Sequence, residues 1–358
     1  MQYPGMGIWI EGEWWSRDKI LTSDISSLPS YFFDREVILF LKNWFDDSAE
    51  FPGFTSGSTG TPKLIRLVKE YCWASALSTL SYFKIKPKTN ALLSMPARFI
   101  AGRMMIVRAI AGELNLKMIS PSSVPDIPGT LLSLAAFTPH QFGNLLNEPE
   151  KNKGGQIELI LLGGAPVSAD LIQKMEEVGI KSRVFETFGM TETYSHIAIK
   201  SLYPEKKSFF EAVPNVRFDQ EDGQLIIHAP HIGREYLKTN DMVELISDQK
   251  FKWMGRADFV VNSGGIKLFP EKIENKLSGF IEEVFFSYGV PDKALGQRLI
   301  LVVEEGGIQD EDEIWKIADT RLEKYEKPKE VFFVREIQYT SSGKIDRSQT
   351  LLKNHYFA

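Results

Sequence analysis

Thr55, Ser56, Gly57, Ser58, Thr59 and Gly60, followed by Thr61, Pro62 and Lys63, crowd hydroxyls, glycines and one ammonium into a single short run. Glycines let backbone amides approach an anion, hydroxyls donate hydrogen bonds, and a lysine adds charge, so the chemistry on offer is phosphate binding. The run is not a Walker loop, because Pro62 stands where a glycine should precede the lysine, and it is not a G-x-G-x-x-G turn. Taken alone, such a loop can equally carry no ligand. Further clusters follow in order: Gly163-Gly164-Ala165-Pro166, Phe188-Gly189-Met190-Thr191-Glu192-Thr193, Thr239-Asn240-Asp241, Gly255-Arg256-Ala257-Asp258 and Ser342-Gly343-Lys344-Ile345-Asp346-Arg347. A carboxylate such as Asp241 can accept both hydroxyls of a ribose. Triphosphates travel with magnesium, which takes one or two carboxylates beside phosphate oxygens. Lys344, on a flexible stem beside Gly343, can be brought to a phosphate and withdrawn. Cys72 stands alone and suits core packing better than nucleophilic chemistry.

In this order the clusters resemble the acyl-adenylate-forming superfamily, which includes acyl- and aryl-CoA ligases and the adenylation domains of peptide synthetases. The resemblance runs from about Phe54 to Arg347, with Leu64 and Asn240 each standing where the family usually has glycine, and asparagine, like glycine, tolerates a left-handed turn. It implies an ATP-dependent acid–thiol ligase that forms an acyl-adenylate, releases pyrophosphate and passes the acyl group to CoA. On that resemblance the loop from Thr55 to Lys63, with Gly164, Ala165, Asp241 and Arg256, holds ATP. Glu192 is the magnesium carboxylate, Thr191 bonds the α-phosphate, and Lys344 bridges carboxylate and phosphate during adenylation. Gly163 and Gly189 line the acid pocket, Asp258 is the hinge of a mobile C-terminal domain, and Ser263, Gly264 and Gly265 face CoA.

The acid is suggested by a second, narrower resemblance. Residues 94–109 are similar to the substrate-pocket segment of the o-succinylbenzoate–CoA ligases of menaquinone biosynthesis, with Phe99, Ala101, Gly102 and Arg108 at the matching positions. Phe99 stands where many of those enzymes have histidine. Arg108 falls among Met104, Met105, Ile106, Val107 and Ala109, and a cation buried there is costly unless an anion pairs with it. An o-succinylbenzoate carries a second carboxylate that could do so; the alternative is a protein carboxylate or the surface. Arg103 lies about 140° away around a helix and would not share that pocket. Another aryl- or acyl-CoA ligase, an enzyme loading a carrier-protein thiol, and a non-catalytic nucleotide-binding scaffold are the competing readings.

These residues need elements to hold them. The run Ile157–Leu162 looks like a buried strand, Ser168 caps a helix that follows, and Arg183–Glu186 begins the next strand: the rhythm of an α/β sheet. After Asp219 the texture changes to short alternating strands. A helix near Pro270–Leu277, a strand near Leu299–Glu304 and a charged helix near Glu311–Lys324 form an α+β unit. The expected architecture is therefore a large α/β domain over 1–256, short at its N-terminal end, with a small mobile α+β lid over 257–358. Net charge is −5, which gives no reason to expect nucleic acid as a partner. No apolar run approaches membrane-span length, and the first residues lack the pattern of a secretory signal. A single cysteine fits a reducing cytosol. A cytoplasmic enzyme of small molecules, with a homodimer as one option, is the expectation.

Overall fold

The computed structural model describes residues 7–32, 34–54, 64–151, 156–307, 309–340 and 345–356. Short apolar runs separated by turns make a parallel sheet in the spatial order Asn115–Met118, Asn90–Leu93, Leu134–Phe137, Leu159–Leu162, Arg183–Gly189. Helices cover both faces, which is why Leu159–Leu162 is buried at every position. Lys69–Phe83 and Ile100–Ala111 pack on one face, and Pro139–Asn147 and Ala169–Val178 on the other. The Ser168 hydroxyl accepts from the Leu171 amide to start helix Ala169–Val178, which Gly179 ends at φ +64°.

Beyond Arg183–Gly189 the sheet turns antiparallel. His196–Tyr203, Phe210–Ala212, Lys250–Arg256, Arg234–Ser247, Gln224–Ala229 and Arg217–Glu221 continue it to 11 strands, and Gly7–Ile10 and Glu13–Ser16, beyond Asn115–Met118 at the other edge, bring it to 13. The change comes at residue 196, earlier than the Asp219 read from the sequence. His196–Tyr203 is mostly buried along its length and lacks the alternation that marks a half-exposed strand. The run 157–162 also divides at Glu158: Ile157 pairs with Leu132 in a separate ladder, while Leu159–Leu162 joins the large sheet. Two devices tie strands Glu50–Phe54 and Leu64–Val68 to the core. They pair antiparallel with Phe54 opposite Leu64, and buried Lys69 bonds the Asp46 carboxylate at 2.7 Å.

Strands Val261–Ser263, Ile266–Leu268, Phe285–Asp292, Gly296–Glu304 and Glu330–Val334 form a second sheet with cores on both faces. Its charged helix spans Glu311–Arg321, stopping short of Lys324. This unit meets the large one where Glu271 accepts from the Arg256 amide, and where Gly279 packs against Asp170.

Candidate active site

Helix Ile100–Ala111 is apolar on almost every side, and it carries Arg108 into the interior, where the side chain is 3% exposed. Every Asp and Glu of the chain lies among the described residues, and none pairs with it. Its Nη2 donates to Ser195 Oγ and, at 3.5 Å, to His196 Nδ1; Nη1 reaches Met105 Sδ at 3.7 Å, and Nε has no partner. Burial, with no carboxylate to offset it, pulls its pKa down to about 10. An arginine can only donate, so His196 Nδ1 is the acceptor and Nε2 carries the proton. Nε2 then donates to Thr79 Oγ1 at 3.1 Å, which donates to the Ser75 carbonyl. Burial and then the Arg108 charge hold the His196 pKa well below its ordinary value, so the ring is neutral.

The same cluster touches the Gly189 strand. His196 pairs with Gly189, and a Cβ on Gly189 would lie 2.3 Å from the Ser195 carbonyl oxygen. Arg108 thus sits beside one residue that sequence reasoning placed at the acid. Arg103 points elsewhere, bonding the carbonyls of Ala97 and Pro52. Gly102 seats the helix, since a Cβ there would meet the Pro96 carbonyl at 2.4 Å, and Phe99 stands 42% exposed at the helix start. Ser195 and His196 went unnoticed in the sequence. The available signal was two adjacent polar residues just past Tyr194, beyond Thr191-Glu192-Thr193, leading into the strand His196–Tyr203.

Thr191 to Thr193 form one short helical turn. The Thr193 hydroxyl accepts from the Met190 amide at 3.0 Å and lies against the Met190 and Ser195 carbonyls. Arg234 Nε donates to the Glu192 carbonyl at 2.8 Å, leaving the Glu192 carboxylate with no partner among the described residues. No cluster of three or more metal-ligating side chains occurs among the described residues. A lone uncommitted carboxylate suits magnesium, which arrives on a triphosphate with waters of its own. Gly163 lies against Thr187, whose hydroxyl donates to the Leu162 carbonyl, and Gly164 turns the chain at φ +90° with Ala165 exposed. Asp241 is 6% exposed and accepts from Trp253 Nε1 at 2.9 Å, opposite Arg256 across the two strands.

Asn240 is not in a left-handed turn, as its replacement of glycine suggested. It sits in the extended strand Arg234–Ser247, and its amide donates to both Asp258 oxygens at 3.4 Å. Arg256 Nη2 also donates to Asp258, at 3.1 Å. Gly264 and Gly265 form the exposed tip of a hairpin in which Ser263 pairs with Ile266, at φ +59° and +83°. That two-residue turn calls for glycine whatever it faces. The loop from Thr55 to Lys63, and Lys344, lie outside the described residues.

Residues 51–237 match the family described as AMP-binding enzyme, and residues 271–344 the AMP-binding enzyme C-terminal domain. The chain belongs to the AMP-binding enzyme family. It is similar to an acyl-CoA synthetase (AMP-forming)/AMP-acid ligase II-like protein from Dyadobacter fermentans, 30% identical with a TM-score of 0.58, covering 94% of this chain and 98% of that one. A 2-succinylbenzoate–CoA ligase of Listeria monocytogenes is 26% identical over 326 residues, 83% of this chain and 68% of the relative. The fold is shared with the o-succinylbenzoate coenzyme A synthetase of Bacillus subtilis in complex with ATP and magnesium, at TM-score 0.70 and 21% identity, covering 84% of this chain and 69% of that one. As a member of this family the chain is an AMP-forming ligase with small-molecule substrates. Among the described residues no helix is long and apolar enough to cross a membrane.

Proposed function

We propose that this ligase activates o-succinylbenzoate with ATP and transfers it to CoA in the cytoplasm. The observation that carries the choice of acid is Arg108, a buried guanidinium with no carboxylate of its own, set beside Gly189. A substrate with two carboxylates supplies what is missing: one group is activated, and the other pairs with Arg108. The names of the curated relatives point to the same acid.

In this reading the succinyl carboxylate attacks the α-phosphorus of ATP, the bond to the β-phosphate bridging oxygen breaks, and pyrophosphate leaves. The loop from Thr55 to Lys63 cradles the phosphates, Thr191 bonds the α-phosphate, and Asp241 with Arg256 holds the ribose. Glu192 would hold magnesium, whose charge neutralises the phosphate oxygens. Lys344 bridges the reacting carboxylate and phosphate, so catalysis is positioning and charge neutralisation. Residues 257–358 then turn about Asp258, withdraw Lys344 and bring Ser263, Gly264 and Gly265 to the site, where the CoA thiol attacks the mixed anhydride and AMP leaves.

Purified protein with magnesium-ATP, CoA and o-succinylbenzoate, followed by mass spectrometry, tests this against benzoate, succinate and a medium-chain fatty acid. Selective formation of succinylbenzoyl-CoA supports the reading. Turnover of a rival acid keeps the ligase and discards this substrate. AMP without acyl-CoA points to a carrier-protein thiol as acceptor. No AMP from any acid leaves the non-catalytic scaffold.

A further inference from the structure

Arg234 belongs to none of the sequence motifs, yet it closes the turn that carries Glu192. Its Nε donates to the Glu192 carbonyl at 2.8 Å, and its Nη1 reaches the Gly233 carbonyl at 3.4 Å. The guanidinium also lies over the Tyr194 ring, 5.5 Å from its centroid. Tyr194 is an unusual residue to find there: 2% exposed, with φ +63° and ψ −36°, a conformation that costs about 1–3 kcal/mol for a bulky side chain. Packing holds it there. Tyr71 meets its ring edge-on at 5.6 Å, and Gly233 at φ +66° lets the backbone press on Tyr71, where a Cβ would come within 2.5 Å. Arg234 begins the strand that carries Asp241, so one strand ties the Glu192 turn to the candidate ribose carboxylate.

We propose that Arg234 is a positioning residue for magnesium-nucleotide binding: by holding the Glu192 carbonyl and the strained Tyr194 turn, it aims the Glu192 carboxylate at the metal. This rests on the reading of Glu192 as the metal carboxylate. Groups that orient a ligand typically change metal affinity by about 10–100-fold when removed.

Full-length Arg234→Ala and Arg234→Lys are titrated with ATP by calorimetry, with and without magnesium, and assayed for pyrophosphate exchange against magnesium concentration. The expected result for Arg234→Ala is unchanged magnesium-free ATP binding and a gain from magnesium reduced about 10-fold. Half-saturating magnesium in exchange rises by a similar factor, and added methylguanidinium restores part of the loss. Arg234→Lys falls between, because an ammonium can bond the carbonyl but lacks the planar group over Tyr194. A lowered melting temperature with magnesium dependence intact overturns the proposal, leaving Arg234 a structural residue. Glu192→Gln runs alongside. If that variant keeps the full gain from magnesium, the metal reading of Glu192 fails and takes the proposal with it; if it loses the gain while Arg234→Ala keeps it, the positioning role alone fails.

Discussion

Arg347, in the small unit, is 9% exposed along its side chain and donates from Nη2 to both oxygens of Glu274 at 2.8 and 2.7 Å. Glu271 lies 3.7 Å away, and the guanidinium covers the Phe259 ring at 4.2 Å. Arg108, in the large unit, is buried as deeply and has a serine, a neutral histidine and a thioether for company. Where an arginine serves structure here, the fold surrounds it with counter-charge. Where the fold leaves one uncompensated, as at Arg108, a ligand anion is the partner we propose.

The comparison breaks most sharply on stability. Arg347→Met leaves Glu274 and Glu271 buried without their cation and should cost about 3–5 kcal/mol in urea unfolding of the small unit. Arg108→Met removes a cation that nothing in the protein balances, so the variant should unfold no more easily than the wild type. Its effect falls on the substrate: KM for o-succinylbenzoate should rise about 100-fold, the loss of a buried charge pair.

The pH profile sharpens the same point. Burial holds the Arg108 pKa in the free folded protein at about 10, below the ordinary arginine range. Anion binding needs the cation, so KM for the acid should stay flat up to about pH 9 and climb above 10, while Arg108→Met shows no climb there. Stability moves the opposite way for this group. Between the two pKa values the unfolded chain binds the extra proton, and stability contributed by Arg108 rises with pH. Smaller again is His196→Ala, which removes one acceptor from Arg108; KM should rise about 5-fold with kcat unchanged, the worth of one hydrogen bond near 1 kcal/mol.

The motifs announced the chemistry because each is local: Ser168 caps its helix, and Gly163-Gly164 ends its strand, on short-range rules alone. Residues 183–186 and 270–277 formed the elements their patterns called for, the strand running on to Gly189. What the sequence concealed depends on distant partners. Ser195 and His196 matter through Arg108, nearly ninety positions away in the chain, and Arg234 through a backbone carbonyl, which no residue type reveals. Asn240 misled because its family position suggested a turn, whereas a side-chain bond to Asp258 explains it in an extended strand. The shift to antiparallel pairing at residue 196 was hidden by a strand buried along most of its length.

The central claim is that Arg108 holds a second carboxylate of the substrate. The most direct test compares acyl-CoA formation from o-succinylbenzoate and from the same compound lacking its ring carboxylate, in the wild type and in Arg108→Met. The account predicts that the wild type prefers the dicarboxylate by about 100-fold in kcat/KM and that Arg108→Met abolishes the preference by losing activity on that acid alone. Equal use of both acids by the wild type, or a preference that survives Arg108→Met, contradicts it.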